Sequence, residues 1–91
     1  MSAPTFTAGG YKNLTATTQV STQGSTIIGV LVSTTTAGTL QFYDSATATT
    51  TTPVTGVLTL AAGTFLPIGA SVGTGIYVVV GGTINATVIY A

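Results

Sequence analysis

Charge is what this sequence lacks most. Its 91 residues carry one basic and one acidic side chain, Lys12 and Asp44, and no histidine. An ordinary soluble domain is about a quarter charged. General acid/base catalysis needs paired titratable groups, and one carboxylate cannot form such a pair. Ser and Thr nucleophiles need an activating base, which the chain does not supply. A metal site built on Asp44 alone would lack ligands. No catalytic residue, metal ligand or cofactor is therefore expected. Nucleic acid is an equally poor partner, because phosphate neutralisation takes several Lys or Arg.

Other absences narrow the class further. There is no cysteine, hence no disulfide framework and no thiolate metal site. Met1 to Gly10 has neither a basic region nor a continuous apolar stretch, so no secretory leader is expected. The longest apolar runs, 27–32 and 76–80, are strand-sized and far from the ~20 residues of a membrane helix. No segment repeats apolar residues at helical spacing, and Thr, Val, Ile and Gly are poor helix formers.

What remains is rich in β-forming residues. Thr makes up about a quarter of the chain, and hydrophobic residues 45% of it. The surface must be built from Thr, Ser, Gln, Asn and backbone. A near-zero net charge removes the repulsion that keeps small proteins apart, which points to life inside an assembly.

The best-patterned stretch is Ile76 to Ala91. It reads as two strands joined by a Gly81-Gly82 hairpin turn, with Ile84, Ala86, Val88 and Tyr90 on one face. Residues 1–11 read as an N-terminal arm, with Phe6 as its anchor. Residues 12–91 form one domain. Its first strand begins at Lys12 and alternates through Leu14, Ala16, Thr18 and Val20. Thr26–Ser33 and Thr39–Asp44 read as a hairpin around a loop at 34–38. The run Ile27 to Val32 suits a strand buried on both faces, one toward the core and one toward a partner. Gly29 within it marks a bulge or a close backbone approach. Ser45 to Thr52 is an exposed polar loop, Val54 to Leu60 a strand, Ala61-Ala62-Gly63 a turn. Thr64 to Ile68, interrupted by Pro67, belongs at a sheet edge. About seven short strands with Gly and Pro punctuation predict an all-β fold, an antiparallel β-sandwich of jelly-roll type.

Three small motifs have structural readings. Asp44 at a strand exit fits an Asx-type turn, its carboxylate bonding backbone N–H groups just ahead, or an intersubunit ion pair with Lys12. Gly73-Thr74-Gly75 resembles a phosphate-cradling loop only weakly, without the following Lys and helix, and reads as a strand connection. Asn13-Leu14-Thr15 and Asn85-Ala86-Thr87 match the N-glycosylation pattern, a coincidence expected in a Thr-rich chain.

Four segments together resemble a known family. They are Leu40 to Thr47 with its Tyr-Asp-Ser-Ala exit, Leu58 to Thr64, the Gly-Ile-Tyr-Val-Val-Val-Gly-Gly run at 75–82, and Ala86 to Tyr90. They look like the small β-sandwich virion proteins of tailed bacteriophages, which include capsid cement and decoration proteins. The resemblance implies a non-enzymatic homo-oligomer, a trimer by preference. It would sit on the capsid's outer surface and staple neighbouring copies of the major capsid protein. The expected contact surface is Phe6, Ile27, Val30, Val32, Tyr77, Val79 and Tyr90. A different reading is a tail, fibre or shell-surface module that binds host carbohydrate through the 46–52 loop, or another virion protein.

Overall fold

The structure is a computed structural model and describes residues 10–91. Five strands make one antiparallel sheet, and the described residues contain no helix. The strands are β1 (Gly10–Leu14), β2 (Thr18–Ser21), β3 (Ser25–Asp44), β4 (Phe65–Val72) and β5 (Ile76–Tyr90). The all-β, antiparallel expectation holds, but with five strands in place of seven. The sheet order is β1-β5-β3-β4, and β2 also pairs with β5. β1 begins at Gly10, inside the segment expected as an arm; Phe6 lies outside the described residues.

The two expected hairpins are absent. Ser25 to Asp44 is one continuous strand of 20 residues, and Ile76 to Tyr90 another of 15. They pair with each other along nearly their whole length, from Ile27↔Tyr90 to Asp44↔Ile76. Neither can be straight. Twenty residues at about 3.3 Å each would span roughly 65 Å. The longest extent of the molecule is 43 Å.

The bend falls where the sequence had pointed to turns. Between the pairs Val32↔Ala86 and Leu40↔Val80, residues 33–39 of β3 lie opposite only residues 81–85 of β5. On the other side of β5 the count reverses. β1 and β2 pass from Leu14↔Ala86 to Thr18↔Val78, so residues 15–17 accompany residues 79–85. Unequal path lengths on the two flanks are what a sheet produces when it turns a corner. β3 takes the long track and the β1–β2 link the short one. Thr17 fixes the short track, its hydroxyl accepting the Val80 N–H at 3.0 Å.

Glycine makes the corner possible. Gly82 has φ +68°, the left-handed region, and faces Ala37, whose φ is +53°. A Cβ on Gly82 would press into the Ala37 carbonyl oxygen and lie 2.8 Å from its carbon. Glycine inside a strand marks this kind of bulge or close approach as readily as it marks a turn. That is why Gly81-Gly82 reads as a hairpin in sequence and serves as a corner in the fold.

Both halves of the long strands feed one core. Ile27, Val30, Val32, Leu40 and Phe42 come from β3; Ile76, Val78, Ile84, Ala86 and Val88 come from β5; Leu14 and Val72 complete it. The alternation expected at Ile84, Ala86, Val88 and Tyr90 is present, with Tyr90 only partly buried. The expected strand at 54–60 is not regular. It touches β3 through one isolated bridge, Leu40↔Leu58, and a second, Tyr43↔Pro53, lies just before it. Of the loop expected to be exposed at Ser45 to Thr52, residues 47–52 are exposed, but Ser45 is buried, its N–H bonded to the Gly75 carbonyl and its hydroxyl accepting the Thr47 N–H. β4 is an edge strand with Pro67 inside it, also as expected. Ala91 is tied to Thr26 by two reciprocal backbone bonds of 2.9 Å.

Candidate interaction surface

Residues directly opposite one another on neighbouring strands project from the same face of a sheet. The registers therefore define what each face carries. On the half containing β1 and β4, one row runs Lys12–Val88–Val30–Leu66 and turns its middle members into the core. The alternate rows run Tyr11–Ile89–Gly29–Pro67 and Asn13–Thr87–Leu31–Phe65. These two rows face outward. Tyr11 is 76% exposed, Phe65 46% and Leu31 39%. Large apolar side chains in a contiguous exposed group mark contact surfaces more often than chance.

This outer face is continuous and shaped. Gly29 leaves a gap that the Phe65 ring covers; a Cβ there would lie 2.6 Å from Phe65 Cζ and 2.7 Å from the Leu66 carbonyl oxygen. A polar rim sits beside it. Asn13 Nδ2 donates to Asn85 Oδ1 at 2.9 Å, to Thr87 Oγ1 at 3.1 Å and to the Ala86 carbonyl at 3.2 Å. The two asparagines of the glycosylation patterns thus bond each other across β1 and β5. Neither charged residue falls on the outer rows: Lys12 has the opposite alternation and Asp44 ends β3 beyond the corner.

Beyond the corner lies a second outer face. Tyr43, Tyr77 and Gln19 share one row, and Gln41 and Val79 another. The Tyr43 and Tyr77 rings sit 6.5 Å apart at 45°. Tyr43 donates its hydroxyl proton to Gln41 Oε1 at 2.8 Å, and Gln41 Nε2 donates to the Thr55 carbonyl at 3.1 Å. Gln19 Nε2 donates to three carbonyls, of Ser21 and Ser45 at 2.7 Å and of Ile76 at 3.0 Å, tying β2 to the end of β3. This face is half-buried and lies away from the core cluster.

The expected contact residues divide accordingly. Ile27, Val30 and Val32 are fully buried in the core, so they present no surface. The reason is the bulge between Ile27 and Gly29, which changes the alternation and puts positions 27, 30 and 32 on one side. Tyr77 and Val79 lie together on the second outer face. Tyr90 turns toward the core and packs partly against it. Pattern reading missed Tyr11, Leu31 and Phe65. The available signal was the two-sided run at 27–32, whose one exposed member is Leu31.

Comparison with protein-family models, curated proteins and solved structures finds no match. The surface has to be interpreted from its own chemistry.

The one carboxylate is spoken for. Asp44 accepts hydrogen bonds from the Thr74 hydroxyl at 2.7 Å and from the N–H groups of Thr74 at 2.9 Å, Gly73 at 3.1 Å and Gly75 at 3.4 Å. The Gly73-Thr74-Gly75 connection does cradle an anion, and the anion is the chain's own. The bonds from the Thr74 hydroxyl and backbone lead in lowering the Asp44 pKa to about 2. The Asx expectation was right about backbone N–H partners and wrong about their place, 29 to 31 residues downstream. Within one copy, Lys12 lies opposite Val88 and Asp44 opposite Ile76, at the two ends of β5.

An open cleft of about 430 Å³ lies between the β2–β3 turn and Tyr90. Within it Ser21 bonds Ser25 at 2.9 Å, and both hydroxyls donate to the Gln23 carbonyl. No charged side chain lines it.

Proposed function

We propose that this chain is a structural virion protein, a capsid decoration or cement subunit that binds the outer shell and stabilises contacts between major capsid proteins. In this reading the bent sheet closes on itself as a two-layered sandwich of jelly-roll type. The observation that carries the proposal is the pair of outer sheet faces with no charged side chain on either, on a chain whose one carboxylate is used internally. Such a chain has surface for contact and no group for chemistry.

The shell contact is assigned to the face of Tyr43, Tyr77 and Val79. Aromatic side chains bring large area at low entropic cost, and tyrosine hydroxyls find polar partners at an interface. Burial of apolar area contributes roughly 25 cal/mol per Å², less the cost of association. Many copies on a lattice then gain avidity without new contacts.

The test is the particle itself. Quantitative mass spectrometry of purified virions should find hundreds of copies, and particles stripped of them should fail at lower temperature or milder osmotic shock. Equal failure temperatures for stripped and decorated particles would remove the stapling role. A few tens of copies or fewer would move the chain to the tail or fibre.

A further inference from the structure

The face built by Tyr11, Leu31, Phe65, Pro67 and Ile89 has no role in that assignment. We infer that it is covered by a second copy of this chain, packed face to face about a two-fold axis. The inference does not rest on the virion reading, because it concerns the purified chain in solution.

Three observations lead there. The first is charge. No charged residue lies on these rows. A partner surface of ordinary composition would bring its charges against this face and leave them desolvated without a counter-charge, which is strongly unfavourable. A second copy brings the same uncharged face. A two-fold contact needs one patch that complements itself, and this patch meets the electrostatic part of that condition.

The second is area. Four strands at about 4.8 Å spacing make a face roughly 19 Å wide, and five to seven residues at about 3.3 Å make it roughly 20 Å long. That is on the order of 400 Å² in flat projection per copy. Side-chain relief brings the accessible area covered in a pair to about 1,000 Å², where specific interfaces begin.

The third is the state of the strand edges. Among the described residues β1 and β4 are the open edges of this half. β1 carries the chain's one lysine at its middle. β4 carries Pro67, which has no N–H, and Gly69 with φ +64°. A lysine, a proline and an irregular backbone are the devices that stop edges from pairing with other chains. With strand addition disfavoured at both edges, the exposed apolar side chains between them are what is left for association. The arrangement is two-fold, in contrast to the threefold one that the resemblance implies.

The experiment is analytical ultracentrifugation of the full purified chain across about 1 µM to 1 mM. The expected result is reversible growth to twice the 9.0 kDa mass of one chain. Leu31→Lys, on the inner strand β3, should weaken the pair by about thirtyfold or more, the effect of losing a central contact, and Tyr11→Lys, on the edge strand β1, by about tenfold. Both should keep the wild-type circular dichroism spectrum. Val57→Lys, at a 64% exposed residue on the other side of the corner, should dimerise normally. A monomer at every concentration, a three-chain particle, or dimers unaffected by both Leu31→Lys and Tyr11→Lys would each overturn the inference. None of these results bears on whether virions contain the chain.

Discussion

Replacing Gly82 with alanine tests the corner on which the fold turns. Two costs and one gain follow from the structure. The left-handed backbone at φ +68° costs a residue with a Cβ about 1–2 kcal/mol. The new methyl would also meet backbone: it overlaps the Ala37 carbonyl, 2.8 Å from its carbon and 3.1 Å from Gly38 Cα. Ala37 and Gly38 form a two-residue bulge pinned between the paired residues Thr36 and Thr39, so this backbone cannot rotate aside as a side chain can; β3 must shift, and overpacking of this kind costs about 1–3 kcal/mol. Against these, alanine reduces the entropy of the unfolded chain, a gain of about 0.4–1 kcal/mol. The net expectation is a loss of about 1–5 kcal/mol. For a domain of this size that lowers the melting temperature by about 5–35 °C. Gly82→Asn separates the two costs. Asparagine tolerates the left-handed region but carries the same Cβ, so at a crowded corner it should lose nearly as much as alanine. In a free hairpin turn it would lose little. Gly56→Ala is the control, with open space around the position and no positive φ; it should stay within about 0.5 kcal/mol of wild type or gain slightly. Thermal melts of the four proteins by circular dichroism decide it. A Gly82→Asn protein as stable as wild type would refute the corner reasoning.

Two further outcomes are expected. Asp44 titrates at about 2 in the fold, below its ordinary 3.8, so its contribution to stability is fully present above about pH 4 and is lost as pH falls from there through 2. Urea midpoints should fall over that window in wild type, and Asp44→Asn should flatten the fall; an unchanged acid limb in the variant would contradict the Gly73–Gly75 cradle. Gln19→Ala removes one donor group shared among three carbonyls and should cost about 1–3 kcal/mol by chemical denaturation, and a loss under 0.5 kcal/mol would mean that water replaces it.

The local patterns were legible where one physical rule decided them. Period-two alternation located Ile84, Ala86 and Val88 on the core side, and the absence of helical spacing excluded helices. Pro67 announced an edge because a residue without N–H cannot sit in a central strand. Elsewhere two structures share one signal. A Gly-Gly pair suits a hairpin turn and a strand corner equally, and the choice depends on Ala37, 45 positions away in the chain and facing it only after folding. The bulge at Ile27–Gly29 changes the alternation midway through an apolar run, so Ile27, Val30 and Val32, expected at a contact surface, all turn into the core and Leu31 is left outside. Asp44 was expected to bond locally because sequence shows only neighbours, whereas its partners belong to another connection. The outer face was hidden for the same reason. Tyr11, Leu31 and Phe65 are far apart in sequence and become one surface only through the registers of β1, β3, β4 and β5.

The position of β5 has a consequence for how the chain reaches this state. It pairs with β1, β2 and β3, and it is the last of the five strands in chain order. A ribosome delivers β1 and β2 long before their neighbour exists, and Gly10 meets Tyr90 only after 80 residues of chain have been closed into a loop. Only the β3–β4 pair can assemble ahead of it. Loop closure of this length must precede the contacts that reward it, which places folding in the millisecond-to-second range of non-local β proteins. Until β5 docks, β1, β2 and one side of β3 stay unpaired, with almost no charge to keep nascent copies apart. Synthesis at high copy number thus favours a chain that finds its final strand quickly or is met by a chaperone first.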